Sequence, residues 1–170
     1  MDGIHLDIEP HQIDDFNDSE INRKTYLLNY VKFVYTTHTL YNNIDIHYDI
    51  PFWFDDVITY KGITKKVHEH VIDNADKVVV MSYRDTADKI YDISREELIY
   101  ANATTTELSV SVNMTSDEGD QVSFQEENKR ILNAELNKLN DIIAEEYSVC
   151  IHHIKSWYNL DHGYSIFDLR

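Results

Sequence analysis

Apolar and polar residues alternate with a period of two in short runs, and longer stretches between the runs carry a helical period. Over residues 3–9, Ile4, Leu6 and Ile8 alternate with His5, Asp7 and Glu9, which predicts a strand. Residues 44–50 repeat the pattern, with Ile44, Ile46, Tyr48 and Ile50 set against Asp45, His47 and Asp49. Residues 77–83 hold the continuous run Val78-Val79-Val80-Met81, the pattern of a fully buried strand. Residues 108–114 alternate again, Leu108, Val110, Val112 and Met114 against Ser109, Ser111 and Asn113. A shorter fifth strand is expected over 148–154.

The intervening stretches suit helices. Asp18 or Ser19 can cap a helix carrying Ile21, Tyr26, Leu27, Tyr30, Val31 and Val34. Residues 63–75 contain a second, shorter helix, and Asp85 can cap a third that runs through Ile90 and Leu98 towards Ala101. Ser123 and Glu126 form a capping-box pattern ahead of Ile131, Leu132, Leu136, Leu139, Ile142 and Ile143 at helical spacing. Residues 115–121 read as a polar loop.

Strands alternating with helices imply a parallel sheet with right-handed crossovers. An open doubly wound sheet is apolar on both faces, because helices cover both. Here one face of three strands is aliphatic, and the other carries His5/Asp7/Glu9, Asp45/His47/Asp49 and Ser109/Ser111/Asn113. A barrel fits that asymmetry, with one face under helices and one towards an interior whose mouth polar groups can line. The chain has only four glycines and lacks the glycine-rich phosphate turn of nucleotide-binding sheets. At 170 residues it is one domain and shorter than an eight-stranded barrel, which takes roughly 250 residues. The expected fold is therefore α/β, a partial (β/α)8 TIM barrel of about five parallel strands, the C-terminal portion of the whole. Five strands leave open edges, so either an N-terminal half-barrel or self-association is expected to complete it.

Composition narrows the partners. Asp and Glu number 31 against 15 Lys and Arg, a net charge of -16. Phosphates would be repelled, so neither nucleic acid nor an anionic membrane surface is an expected partner. No run is long and apolar enough to span a bilayer, and no signal-peptide pattern is visible, which leaves the compartment unknown. The single cysteine, Cys150, excludes an intrachain disulfide and is expected to be a buried small residue.

Candidate chemistry begins on the first strand. Residues two apart point the same way, so His5, Asp7 and Glu9 form a ladder with Glu9 nearest the C-terminal end, where barrel enzymes work. Two carboxylates this close do not ionise independently, and the one that keeps its proton can serve a leaving glycosidic oxygen.

The segment Asp2-Gly3-Ile4-His5-Leu6-Asp7-Ile8-Glu9 resembles the strand-four signature of glycoside hydrolase family 18, the chitinase family. Asp2, Asp7 and Glu9 match that signature, and His5 stands where the family has Asp. Met81-Ser82-Tyr83 resembles the family's strand-six Met-(Ser/Thr)-Tyr, with Arg84 and then Asp85 following. Trp157 is similar to the aromatic at the floor of the family's sugar site. Asp49-Ile50-Pro51-Phe52-Trp53-Phe54 and Met81-Ser82-Tyr83-Arg84-Asp85-Thr86 also resemble an uncharacterised microbial family of barrel proteins related to these hydrolases. The resemblance implies strands four to eight of the barrel and a carbohydrate ligand. It implies Glu9 as general acid/base, Asp7 orienting the substrate's N-acetyl group, Tyr83 bonding that group, and Asp49 beside them. His5, Trp53, Arg84, Asn113, His152 and Trp157 complete the expected substrate-binding set, and no cofactor or metal is called for. His5 in place of the inner Asp removes an acidic neighbour that helps cycle the Asp7 proton.

Two other readings stand beside this one. His5, Asp7, His47, Asp49, His152 and His153 could serve a metal-dependent hydrolase, although no tight ligand motif occurs and nine histidines make chance alignment easy. Adjacent His152 and His153 point to opposite faces, so at most one looks inward. The third reading is a non-catalytic barrel that binds sugar or protein, with Phe52, Trp53, Trp157 and Tyr158 as stacking surfaces.

Overall fold

The computed structural model describes residues 3–115, 119 and 121–160; Asp2 and most of the expected 115–121 loop lie outside them. In chain order the elements are β1 (Gly3–Asp7), α1 (Glu20–Leu40), β2 (Asp45–Pro51), β3 (Val57–Tyr60), β4 (Ile63–Lys66), α2 (Val67–Ile72), β5 (Lys77–Met81), α3 (Ala87–Asn102), β6 (Glu107–Asn113), α4 (Lys129–Ile142), β7 (Ser148–His152) and α5 (Ile154–Asn159). Strands β1-β2-β5-β6-β7 form one sheet in that order, every neighbouring pair parallel. The order follows the chain without reversal. Right-handed crossovers then place all the crossover helices on one face, and the change of direction that defines a doubly wound sheet is missing from this strand order.

Burial agrees with the alternation. Ile46, Tyr48, Ile50, Val78, Val80, Leu108, Val110 and Val112 join one buried cluster with Leu27, Val31, Val34, Ile90, Leu98, Leu132 and Leu139 from the helices. Each such side chain contributes about 1.5–3 kcal/mol by leaving water. The opposite face is mixed: His5 and Asp7 are exposed on β1, whereas Val79, Ser109 and Ser111 are buried on the central strands. Gly3 is needed where β1 approaches β2, since a Cβ there would stand 2.8 Å from the Asp45 carbonyl oxygen.

Helix α1 begins as its sequence predicts, with Ser19 Oγ accepting from the Asn22 amide at 3.1 Å. Ile21, expected on its apolar stripe, is exposed instead; it lies in the first turn, before the helix meets the core. Two other starts differ from expectation. Helix α3 starts at Ala87, and its first amide donates to Glu135 Oε2 of α4 at 2.8 Å, so a neighbouring helix does the work assigned to Asp85. Helix α4 starts at Lys129, where Asn128 Oδ1 accepts from the Arg130 and Ile131 amides. Ser123 instead forms a bridge to Asn113 at the end of β6, which delays the helix by more than a turn.

The hairpin β3–β4 was not expected. Its turn is Lys61-Gly62, both with positive φ, 50° and 79°, the left-handed pair that matches the twist of two antiparallel strands. Two polar side chains are buried where α2 meets α3, His68 and Glu97. Burial lowers the proton affinity of the His68 ring and pushes the Glu97 carboxyl up to about 8. Among the described residues no helix is long and apolar enough to cross a membrane.

Candidate active site at the carboxyl ends of the strands

Parallel register pairs His5 with His47 and Asp7 with Asp49, so the polar side chains of β1 and β2 stand in rows. Across those rows His5 Nε2 lies 2.9 Å from Asp49 Oδ1, and the His5 and His47 rings meet edge to face at 5.8 Å. Beyond Asp7 the strand ends. Pro10 cannot extend it and begins a single 3-10 turn, Pro10–Gln12, that folds back over Glu9. His11 Nε2 then lies 3.1 Å from Glu9 Oε2, and Gln12 Nε2 donates to the same oxygen.

Two depressions open at this end. One, of about 170 Å³, lies over the sheet between His5, Asp7, Asp49, Tyr83, Ser111 and His152. The other, of about 470 Å³, is bounded by Glu9, His11, Phe52, Trp53, Tyr83 and Arg84. Asp7, Met81, Tyr83 and His152 line both, so they form one cleft.

Electrostatics inside the cleft follow from burial beside carboxylates. Asp49 holds its proton above the ordinary carboxylate range; burial is the main cause, the hydrogen bond from His5 opposes it, and the charge of Asp7 adds to it. The Tyr83 phenol is raised well above its ordinary value, first by burial and then by the charges of Asp49, Asp7 and Glu9. It is therefore a hydrogen-bond donor at any neutral pH. The Tyr83 and His152 rings lie 5.4 Å apart. Arg84 is held in place: Nη1 donates to the Tyr83 carbonyl at 2.6 Å, and its guanidinium sits 5.1 Å from the Phe52 ring centre. Trp53 packs edge-on against His11 at 4.9 Å and beneath the Arg23 guanidinium.

Of the residues singled out in the sequence, Glu9, Asp7, Tyr83, Asp49, His5, Trp53, Arg84 and His152 line this cleft. Asn113 and Trp157 do not. Asn113 is buried and its Oδ1 accepts from the Thr115 amide and hydroxyl, which closes the turn after β6. Trp157 lies on α5 with Lys129 Nζ 5.2 Å from its ring centre. His153 Nδ1 pairs with Ser156 Oγ at 2.9 Å, so His152 is the one of the two that faces the cleft. Cys150 is half-buried and lines the smaller depression, unlike the buried residue expected, because β7 is an edge strand.

His11 and Gln12 escaped the sequence reading, since only the reversal at Pro10 brings them to Glu9. Among the described residues, the grouping whose donor atoms all lie within 4.8 Å of one another is Asp55, His68 and Glu96, none of which lines the cleft. The histidines and aspartates of β1, β2 and β7 do not form such a grouping. Compared with known protein families, with curated proteins and with solved structures, the chain matches none of them.

Proposed function

We propose that this chain is a glycoside-hydrolase-like protein, part of a (β/α)8 barrel, whose cleft cleaves a glycosidic bond next to an N-acetylated sugar. The observation that carries the reading is the convergence of Glu9, Asp7 and the donor Tyr83 on one cleft at the carboxyl ends of parallel strands. The unreversed strand order and the polar row on one sheet face support the barrel.

In this reading Glu9 donates a proton to the leaving glycosidic oxygen as the C1–O bond breaks. The carbonyl oxygen of the substrate's own acetamido group closes on C1, with Asp7 accepting from the amide N–H. Tyr83 donates to the same acetamido group, and its raised proton affinity keeps that donor present. Water then opens the cyclic intermediate, with the Glu9 carboxylate taking up its proton. Phe52 and Trp53 supply stacking surface for neighbouring sugar rings.

Hydrolysis of paired aryl glycosides tests the substrate-assisted step. The aryl N-acetylglucosaminide is cleaved and the matching glucoside, which lacks the acetamido nucleophile, is not. Equal rates on both would remove substrate assistance.

A second reading is sugar binding without turnover. It is favoured by the engagement of Glu9 by His11 and Gln12, which occupies the oxygen that would meet the leaving group, and by His5 bonding Asp49. Chito-oligosaccharide titration separates the two: saturable binding weakened by Trp53→Ala, with no product released by wild type, supports binding alone.

A further inference from the structure

We propose that Asp55, His68 and Glu96, with Glu97 beside them, bind a divalent transition-metal ion that pins the loop carrying Trp53 to helices α2 and α3. This site is separate from the cleft and does not depend on what the cleft does.

The three groups come from three elements: Asp55 from the segment after β2, His68 from α2 and Glu96 from α3. Backbone bonds already hold the first two together, since the His68 amide donates to the Phe54 carbonyl at 3.1 Å and the Val67 amide to the Asp56 carbonyl at 3.0 Å. His68 is buried to 1% exposure, yet its Nδ1 has no hydrogen-bond partner. That nitrogen stands 3.6 Å from Asp55 Oδ1 and 3.5 Å from Glu97 Oε1. Both separations exceed a normal hydrogen bond. They match two ligands of one ion, which sit about 3.3–3.4 Å apart when tetrahedral bonds are about 2.0–2.1 Å. Glu97, also 1% exposed, leaves Oε2 without a partner.

A cation is already drawn to this point. Lys66 Nζ bonds Asp55 Oδ1 at 3.1 Å and also Glu96. The ammonium neutralises the two outer carboxylates, but its bonds go to them, and His68 Nδ1 and Glu97 Oε2 stay without a partner. A metal ion accepts electron pairs from the imidazole and the carboxylates alike, so it would bind His68, Asp55 and Glu96 as Lys66 swings out to solvent, with Glu97 beside them. One imidazole with carboxylates, and no thiolate, suits zinc or manganese rather than calcium or magnesium.

Zinc titration of chelator-stripped protein, by calorimetry and by the visible absorption of a cobalt(II) substitute, tests the assignment. Wild type should bind one ion saturably. His68→Gln and Glu96→Gln should each weaken binding at least tenfold, while Lys66→Met, which removes the competing ammonium, should tighten it. Glu96 is exposed, so Glu96→Gln keeps the test valid even where His68→Gln does not fold. Zinc should also slow amide hydrogen exchange over residues 54–68. No saturable binding by wild type would overturn the proposal. So would zinc affinity unchanged in both His68→Gln and Glu96→Gln, which places any bound ion elsewhere. Binding without slower exchange would overturn the pinning of the loop.

Discussion

At the residue scale, burial holds the Asp49 proton more tightly in the folded chain than in the unfolded one, although His5 donates to it. The unfolded carboxyl therefore loses its proton first as pH rises, and the fold loses stability through that range. Asp49→Asn removes this penalty. Its melting temperature relative to wild type should be lowest near about pH 3, below the ordinary carboxylate pKa, and higher near about pH 7. A difference, variant minus wild type, that is constant or falls as pH rises would contradict the burial argument. Tyr83 lends itself to a kinetic test. If its hydroxyl serves the acetamido group as the transition state forms, Tyr83→Phe should lower kcat about 10²–10³-fold with a much smaller change in KM. The row His5, Asp7 was legible because strand alternation alone decides which side chains share a face; Glu9, expected on the same strand, lies beyond its end at the start of the Pro10 turn. His11 and Gln12 were not legible, since their contact with Glu9 needs a turn of three residues that carries no periodic signal. His68 and Glu97 were hidden for another reason: they sit on helix faces that meet through the fold, far apart in sequence.

At the element scale, all five strands of the main sheet and helices α1 to α4 were expected from the periodicity, and the starts of α3 and α4 were not. Asn128 rather than Ser123 caps α4, and Glu135 serves the first amide of α3. The second depends on a distant partner that local pattern cannot reveal; the first follows from the bridge of Ser123 to Asn113, which leaves the local cap to Asn128. The hairpin β3–β4 went unread because its strands are four residues each, too short for alternation to stand out from a helical reading of residues 63–75. Lys61-Gly62 between β-branched runs was the available signal. Two glycines separate conformational from steric cost. A Cβ on Gly62 meets nothing within 4 Å, so Gly62→Ala should cost about 1 kcal/mol through its positive φ alone. Gly3→Ala should cost more, because its Cβ would press on the Asp45 carbonyl and part β1 from β2. Urea denaturation of both variants checks the order, and Gly62→Ala as the costlier change would contradict it.

At the scale of the whole molecule, a net charge of -16 opposes compaction. Raising salt screens that repulsion, so the melting temperature should climb by several degrees between about 20 mM and 500 mM NaCl; a fall would mean that ion pairs such as Arg23–Asp56 outweigh it. The sheet ends at β1 and β7 among the described residues, and β1 is the strand that brings Asp7 and Glu9 to the cleft. The parallel sheet was legible from alternation and spacing. The membership of the cleft was legible only in part, since long-range packing decides which aromatic residues reach it: Trp53 does and Trp157 does not. The account rests on Glu9 moving a proton at the scissile bond. Turnover of an aryl N-acetylglucosaminide by wild type and Glu9→Gln measures that directly. Catalysis by wild type with a fall of about 10²–10⁴-fold in the variant is the predicted result; equal turnover by the two proteins would contradict it.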